Sequence, residues 1–184
     1  MTCGKINFAC TRCRLSKGRT QVVPGTGRCS SPIVFIGEAP GREEDLKGEP
    51  FVGRGGKLLD KVLKEAGVDR SEVFICNLVR CRPPDNRRPR KDEIEACSRF
   101  LESELETVKP KVVCALGQTV ANHLLGNKER MAELVRKNRT VNLGSADVRL
   151  FVAYHPAACL YQRKNIGSFK KSIGASLRAA KLKR

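Results

Sequence analysis

Four short apolar runs rich in β-branched residues, separated by stretches of helical periodicity, leave this chain few architectures. They are IVFIG at 33–37, VFICN at 73–77, KVVCALG at 111–117 and RLFVAY at 149–154. Strands covered on both faces read as continuous hydrophobic runs, and strands that alternate with helices pack as a mainly parallel sheet. Leu58, Leu59, Val62, Leu63 and Ala66 recur at helical spacing, and Gly67 ends the pattern. Ile94, Phe100, Leu101 and Leu105 predict a second helix. Val120, Ala121, Leu124 and Leu125 predict a third, closed by Gly126, and the tail over 166–184 reads as a basic final helix. The expected class is α/β, a mainly parallel four-stranded sheet with helices on both faces. At 184 residues the chain suits one domain, 1–184, with a real core.

Charge narrows the partner. Lys and Arg number 36 against 19 Asp and Glu, a formal charge of +17. A surface of ion-pair networks would carry both signs in near balance, so the excess favours a polyanion, with nucleic acid first. The excess is steepest at the end, where Tyr161 to Arg184 holds eight cations and no acid. No run approaches the roughly 18 apolar residues that span a bilayer, and MTCGKINFAC lacks the apolar core of a signal peptide. A cytoplasmic, nucleoid-associated protein is expected.

Nine cysteines is an odd number. It argues against a fully paired disulfide framework and makes metal binding the first reading in an intracellular setting. Cys10 and Cys13 form a C-x2-C pair whose sulfurs can meet one centre from a single turn. Cys81 and Cys97 flank an irregular segment full of arginine and proline and could close the same centre. Four thiolates suit zinc or an iron-sulfur cluster alike. Cys76 and Cys114 lie within strand patterns as small buried hydrophobes, and Cys3, Cys29 and Cys159 carry no assignment.

In open α/β sheets ligands collect at the carboxyl ends of strands. Those ends read GEAPG, Asn77, LGQT and YHP, and three of the four offer a side chain able to do chemistry or read a polar ligand. Two nucleotide motifs fail. GRGGKLL at 53–59 has Phe51 where a P-loop needs glycine and Leu58 where it needs Ser or Thr. GTGRCS at 25–30 precedes a strand and lacks the third glycine of a dinucleotide fingerprint.

Taken together, CTRCRLSKGRTQVVPGTG, GEAPGREEDLKGEPFVGRGGKLLD, ICNLVRCRPPDNRRPRKDEIEAC and YHPA resemble the family 4 uracil-DNA glycosylases of thermophilic bacteria and archaea, over roughly residues 10–165. The resemblance implies a three-layer α/β/α sandwich and a structural 4Fe-4S cluster on Cys10, Cys13, Cys81 and Cys97. That cluster would hold the Arg-rich loop from Arg80 to Arg90 against DNA. It further implies a monofunctional hydrolase that flips deoxyuridine out of DNA and leaves an abasic site, in repair of deaminated cytosine.

By the same resemblance, Phe51 stacks on the base and Asn77 reads uracil N3–H and O4. Ala39 and Gly41 line the pocket, Glu44 lies near the C5 edge, His155 donates to O2, and Glu38 holds or activates water. DNA contacts are expected from Arg82, Arg87, Arg88 and Arg163, with Leu160 or Tyr161 as the wedge filling the vacated stack. The family's usual HPS reads HPA here, so a hydroxyl is missing at Ala157. The expected partner is uracil-containing DNA, single- or double-stranded, with the replication sliding clamp as a further candidate and the protein a monomer. Two alternatives stand beside this reading: a glycosylase of wider range that also releases hypoxanthine or xanthine, and a non-catalytic nucleic-acid-binding module with a four-cysteine zinc site.

Overall fold

A computed structural model describes residues 2–137, 139–143 and 146–182. Strands β1 (Thr26–Gly27), β2 (Ile33–Gly37), β3 (Phe74–Asn77), β4 (Val112–Leu116), β5 (Arg139–Leu143) and β6 (Ala146–Ala153) form one sheet in the order β1-β3-β2-β4-β6-β5. The four expected strands are its parallel centre, β3-β2-β4-β6. The count of four is corrected to six, because β1 and β5 pair antiparallel at the two edges.

Side chains alternate across a strand, so the two faces of the sheet are separate cores. Val34, Ile36, Val113 and Ala115 face one cluster, completed by α3 (Lys91–Val108) and α4 (Gln118–Leu125). Ile33, Phe35, Cys114 and Leu116 face the other, completed by α2 (Arg54–Glu65) and α7 (Ile166–Ala179). This is the expected three-layer α/β/α arrangement. The short helices are α1 (Arg42–Lys47), α5 (Met131–Leu134) and α6 (Pro156–Tyr161). The final helix, expected over 166–184, ends at Ala179, and residues 183–184 lie outside the described residues. No helix among the described residues is long and apolar enough to cross a membrane.

The N-terminal segment wraps the α3 face. Cys3 and Cys29 form a disulfide, while Cys10, Cys13, Cys76, Cys81, Cys97, Cys114 and Cys159 are free thiols. Asp45, buried on α1, accepts the Thr20 N–H at 2.9 and 3.0 Å and fastens that segment to the loop after β2.

Candidate active site

Parallel strands leave their carboxyl ends on one rim, and a cleft of about 570 Å³ opens there. Its lining includes every catalytic and base-contacting candidate read from the sequence: Glu38, Ala39, Gly41, Glu44, Phe51, Asn77 and His155. Among the DNA-contact candidates, Arg87, Leu160 and Tyr161 line it as well, while Arg82, Arg88 and Arg163 lie outside the lining.

Phe51 and Asn77 meet over Gly37. The register pairs Gly37 with Asn77 across β2 and β3, and a Cβ at Gly37 would lie 2.4 Å from both Asn77 Oδ1 and Phe51 Cζ. Only a residue without a side chain lets the amide and the ring close on the strand end. Phe51 holds φ at +55°, a region that bulky residues rarely occupy. Arg70 clamps that turn, donating to the Pro50 carbonyl at 2.5 Å and the Phe51 carbonyl at 3.3 Å while paired with Asp60 at 2.7 Å. Gly56 passes so close beneath that a Cβ would lie 1.7 Å from the Phe51 oxygen. Such local strain persists where surrounding structure fixes it, and it gathers at functional sites.

Asn77 is buried at 2 % exposure, and its Oδ1 has no hydrogen-bond partner. An unpaired buried amide oxygen costs about 1–3 kcal/mol. This oxygen accepts from nothing in the protein and is therefore open to a ligand N–H.

His155 caps α6 across the cleft, its ring centroid 5.9 Å from that of Phe51. Its Nδ1 accepts the Ala157 N–H at 3.2 Å, so that nitrogen carries no proton and the neutral ring bears its hydrogen on Nε2. Burial lowers its pKa to about 4, against an opposing pull from Glu44. At neutral pH the ring is an uncharged donor.

Glu44 is spent on the backbone. Its carboxylate accepts Gly41 N–H at 3.1 Å and Gly53 N–H at 2.7 Å, joining the GEAPG loop to the start of α2. The Arg-rich loop needs a correction. It was expected against DNA from Arg80 onward, yet Arg80 is 1 % exposed and points into the core. Arg87 grips Glu93, which is wholly buried, at 2.6 and 2.8 Å, leaving Arg88 exposed at the loop surface. Hydrogen bonding from Arg87 holds the Glu93 carboxyl below its usual range.

Behind the cleft, Cys10, Cys13, Cys81 and Cys97 border one small cavity with Val22, Ala96 and Phe100. Among the described residues no three His, Cys, Asp or Glu side chains converge as a site for a metal ion, so the four sulfurs surround a space without meeting at a point. Arg19 donates to Cys81 Sγ at 3.2 Å and the Arg80 backbone N–H to Cys97 Sγ at 3.3 Å. Donors aimed at sulfur and an apolar wall suit thiolates bound to a cluster.

The uracil DNA glycosylase superfamily pattern matches residues 24–178. A type-4 uracil-DNA glycosylase of Saccharolobus solfataricus is 44% identical over 157 residues, covering 83% of this chain and 73% of that protein. One of Archaeoglobus fulgidus is 41% identical over 174 residues, covering 91% and 87%. One of Thermotoga maritima is 44% identical over 156 residues, covering 85% and 80%. The chain belongs to the type-4 uracil-DNA glycosylase family. Within this type-4 chain, sequence reasoning missed Gly37, Arg70 and the buried Arg80. Gly37 left a signal, a glycine closing an apolar strand just before Glu38. The two arginines left none, since their runs look like solvated surface.

Proposed function

We propose that this cleft excises uracil from DNA by hydrolysis and leaves an abasic site. The observation that carries the reading is the buried, unpaired Asn77 oxygen beside the Phe51 ring. A flipped uracil stacked on Phe51 offers N3–H to that oxygen and O4 to the amide NH2, whereas cytosine presents the opposite polarity at both positions. His155 Nε2–H, on the far wall, donates to O2. As the C1′–N1 bond breaks, its electron pair stays on the base, and a neutral donor already in place stabilises the growing charge without losing its proton. Water, oriented by Glu38, adds its oxygen to the cationic C1′, and its proton leaves through Glu38 or solvent. No lysine adduct enters this scheme.

Base extrusion costs a few kcal/mol, recovered by phosphate contacts from the exposed Arg88 and Arg163 and the half-buried Arg82, and by Leu160 or Tyr161 filling the gap. Tyr161 is 83 % exposed at the cleft mouth. Cys10, Cys13, Cys81 and Cys97 would hold a 4Fe-4S cluster, which would supply a structural tie and no redox step. Its absorption should bleach in Cys81→Ser, with loss of folded protein. An unchanged spectrum would remove Cys81 from the ligand set.

The deciding assay uses the purified protein in EDTA with labelled oligonucleotides carrying deoxyuridine, deoxyinosine, or thymine opposite guanine. Alkali-labile abasic sites at uracil alone are expected. Release of hypoxanthine would widen the substrate range, and binding without base release would reject the hydrolase.

A further inference from the structure

A fully buried arginine beside two free thiols is costly unless its geometry is used. Arg80 donates through Nη1 to the Asn77 carbonyl and through Nη2 to Glu104 Oε2 at 2.6 Å. Glu104, wholly buried on α3, accepts the Gly25 N–H at 2.8 Å on its other oxygen. The placement follows from the sheet edge. β1 pairs with β3 only at Thr26 with Ile75 and Gly27 with Phe74. Continued by two residues, that register sets Pro24 opposite Asn77, and proline has no N–H to give the Asn77 carbonyl, while the Gly25 N–H faces away from the ladder before Val23 N–H rejoins the Arg80 carbonyl at 2.8 Å. The ion pair sits in this interruption and satisfies both groups.

The same residue reaches the cysteine cavity, since the Arg80 backbone N–H donates to Cys97 Sγ at 3.3 Å and its chain continues into Cys81. Cys97 and Glu104 stand on one face of α3, seven residues or two turns apart. Stability alone explains this pair poorly. Arg80 Nε is unsatisfied, and an apolar replacement of such pairs is often neutral or stabilising.

We propose that Arg80 and Glu104 are positioning residues that fix the Asn77 backbone, aim its amide at the base, and tie that aim to the cysteine-bearing stretch of α3. The inference rests on the uracil reading of Asn77. It gives the cysteine centre a task at the pocket: a shift of Cys97 or Cys81 is delivered to Asn77 through one side chain. Lysine cannot stand in, because a single ammonium lacks the fork that spans a carbonyl and a carboxylate together.

The test is a double-mutant cycle on the full chain with its cysteine centre loaded, using Arg80→Lys, Asn77→Ala and the pair. Single-turnover release of uracil is read at saturating DNA, beside DNA affinity, iron content and visible absorption. Arg80→Lys should slow release about tenfold, with affinity within about twofold and iron unchanged. In the Asn77→Ala background it should cost nothing further, because residues acting as a unit are non-additive. A wild-type rate in Arg80→Lys, additive losses, or a loss that tracks missing iron would each overturn the proposal. If Arg80→Lys does not fold, Glu104→Gln takes its place, and failure of both to fold makes the pair a stability element and rejects the positioning role. Absence of uracil release from the unaltered protein would reject the hydrolase reading itself, a result distinct from all of these.

Discussion

Two residues at the cleft, His155 and Gly37, can each be tested apart from the rest. His155 sits with its pKa lowered to about 4 by burial, so it stays neutral through the physiological range. Its ring signals in NMR should show no titration above about pH 5, where an ordinary histidine changes near 6.5. A transition near pH 6.5 would remove the neutral donor from the mechanism. The sign for stability follows. The unfolded chain takes up this proton first, so the fold loses stability as pH falls from about 6.5 toward about 4 and gains no further penalty from this group below that. Gly37 is a second, purely steric case. Alanine there would press 2.4 Å against Asn77 Oδ1 and the Phe51 ring. We expect Gly37→Ala to cost about 1–3 kcal/mol by overpacking, read as a lower melting temperature. Uracil release should fall on the order of a hundredfold. A folded Gly37→Ala protein with normal excision would show that the ring and amide need not meet.

At the scale of elements, the buried strands and long helices were legible because burial on both faces writes a run of Val, Ile, Phe and Leu that nothing polar interrupts. The edges were not. β1 spans two residues, and β5, RTVNL, buries only Val141, so neither leaves a periodic signal. The cleft residues were legible as a set through the strand-end motifs, but their supports were hidden. Arg70 and Arg80 act through backbone carbonyls that no pattern announces. The Cys3–Cys29 link was equally illegible, since pairing depends on where α3 brings the N-terminal segment, with the Lys5 N–H on Ser103 Oγ at 2.8 Å. It closes a loop with sequence separation 26, which constrains the unfolded chain by roughly 3 kcal/mol. Cys3→Ser should therefore lower the melting temperature by several degrees, on the order of 6–12 °C. Thiol titration of the unreduced, denatured apoprotein should find seven free cysteines. Nine would show that the link does not form.

For the molecule as a whole, the formal charge of +17 measures the uncompensated excess, because ion pairs remove acids and cations one for one. Several acids are already paired: Asp60 with Arg70 and Glu65 with Lys170 at the surface, and the buried carboxylates of Glu93 with Arg87 and Glu104 with Arg80. Along α2, Arg54, Lys57, Lys61 and Lys64 are exposed, and the helix's acids, Asp60 and Glu65, face other partners. Cations in this state meet phosphate by releasing condensed counterions, so affinity should fall linearly on a log–log plot against salt, by about 0.9 per duplex phosphate neutralised. A uracil-free duplex should therefore bind roughly two orders of magnitude more weakly at 200 mM than at 50 mM salt, corresponding to about four phosphates. Base release at saturating DNA should change little over the same range, because Phe51, Asn77 and His155 lie inside a cleft where salt screens weakly. A slope near zero would assign the excess charge to solubility and leave recognition to the pocket alone. A salt-sensitive saturated rate would mean instead that the exposed cations still act after the base has entered the cleft.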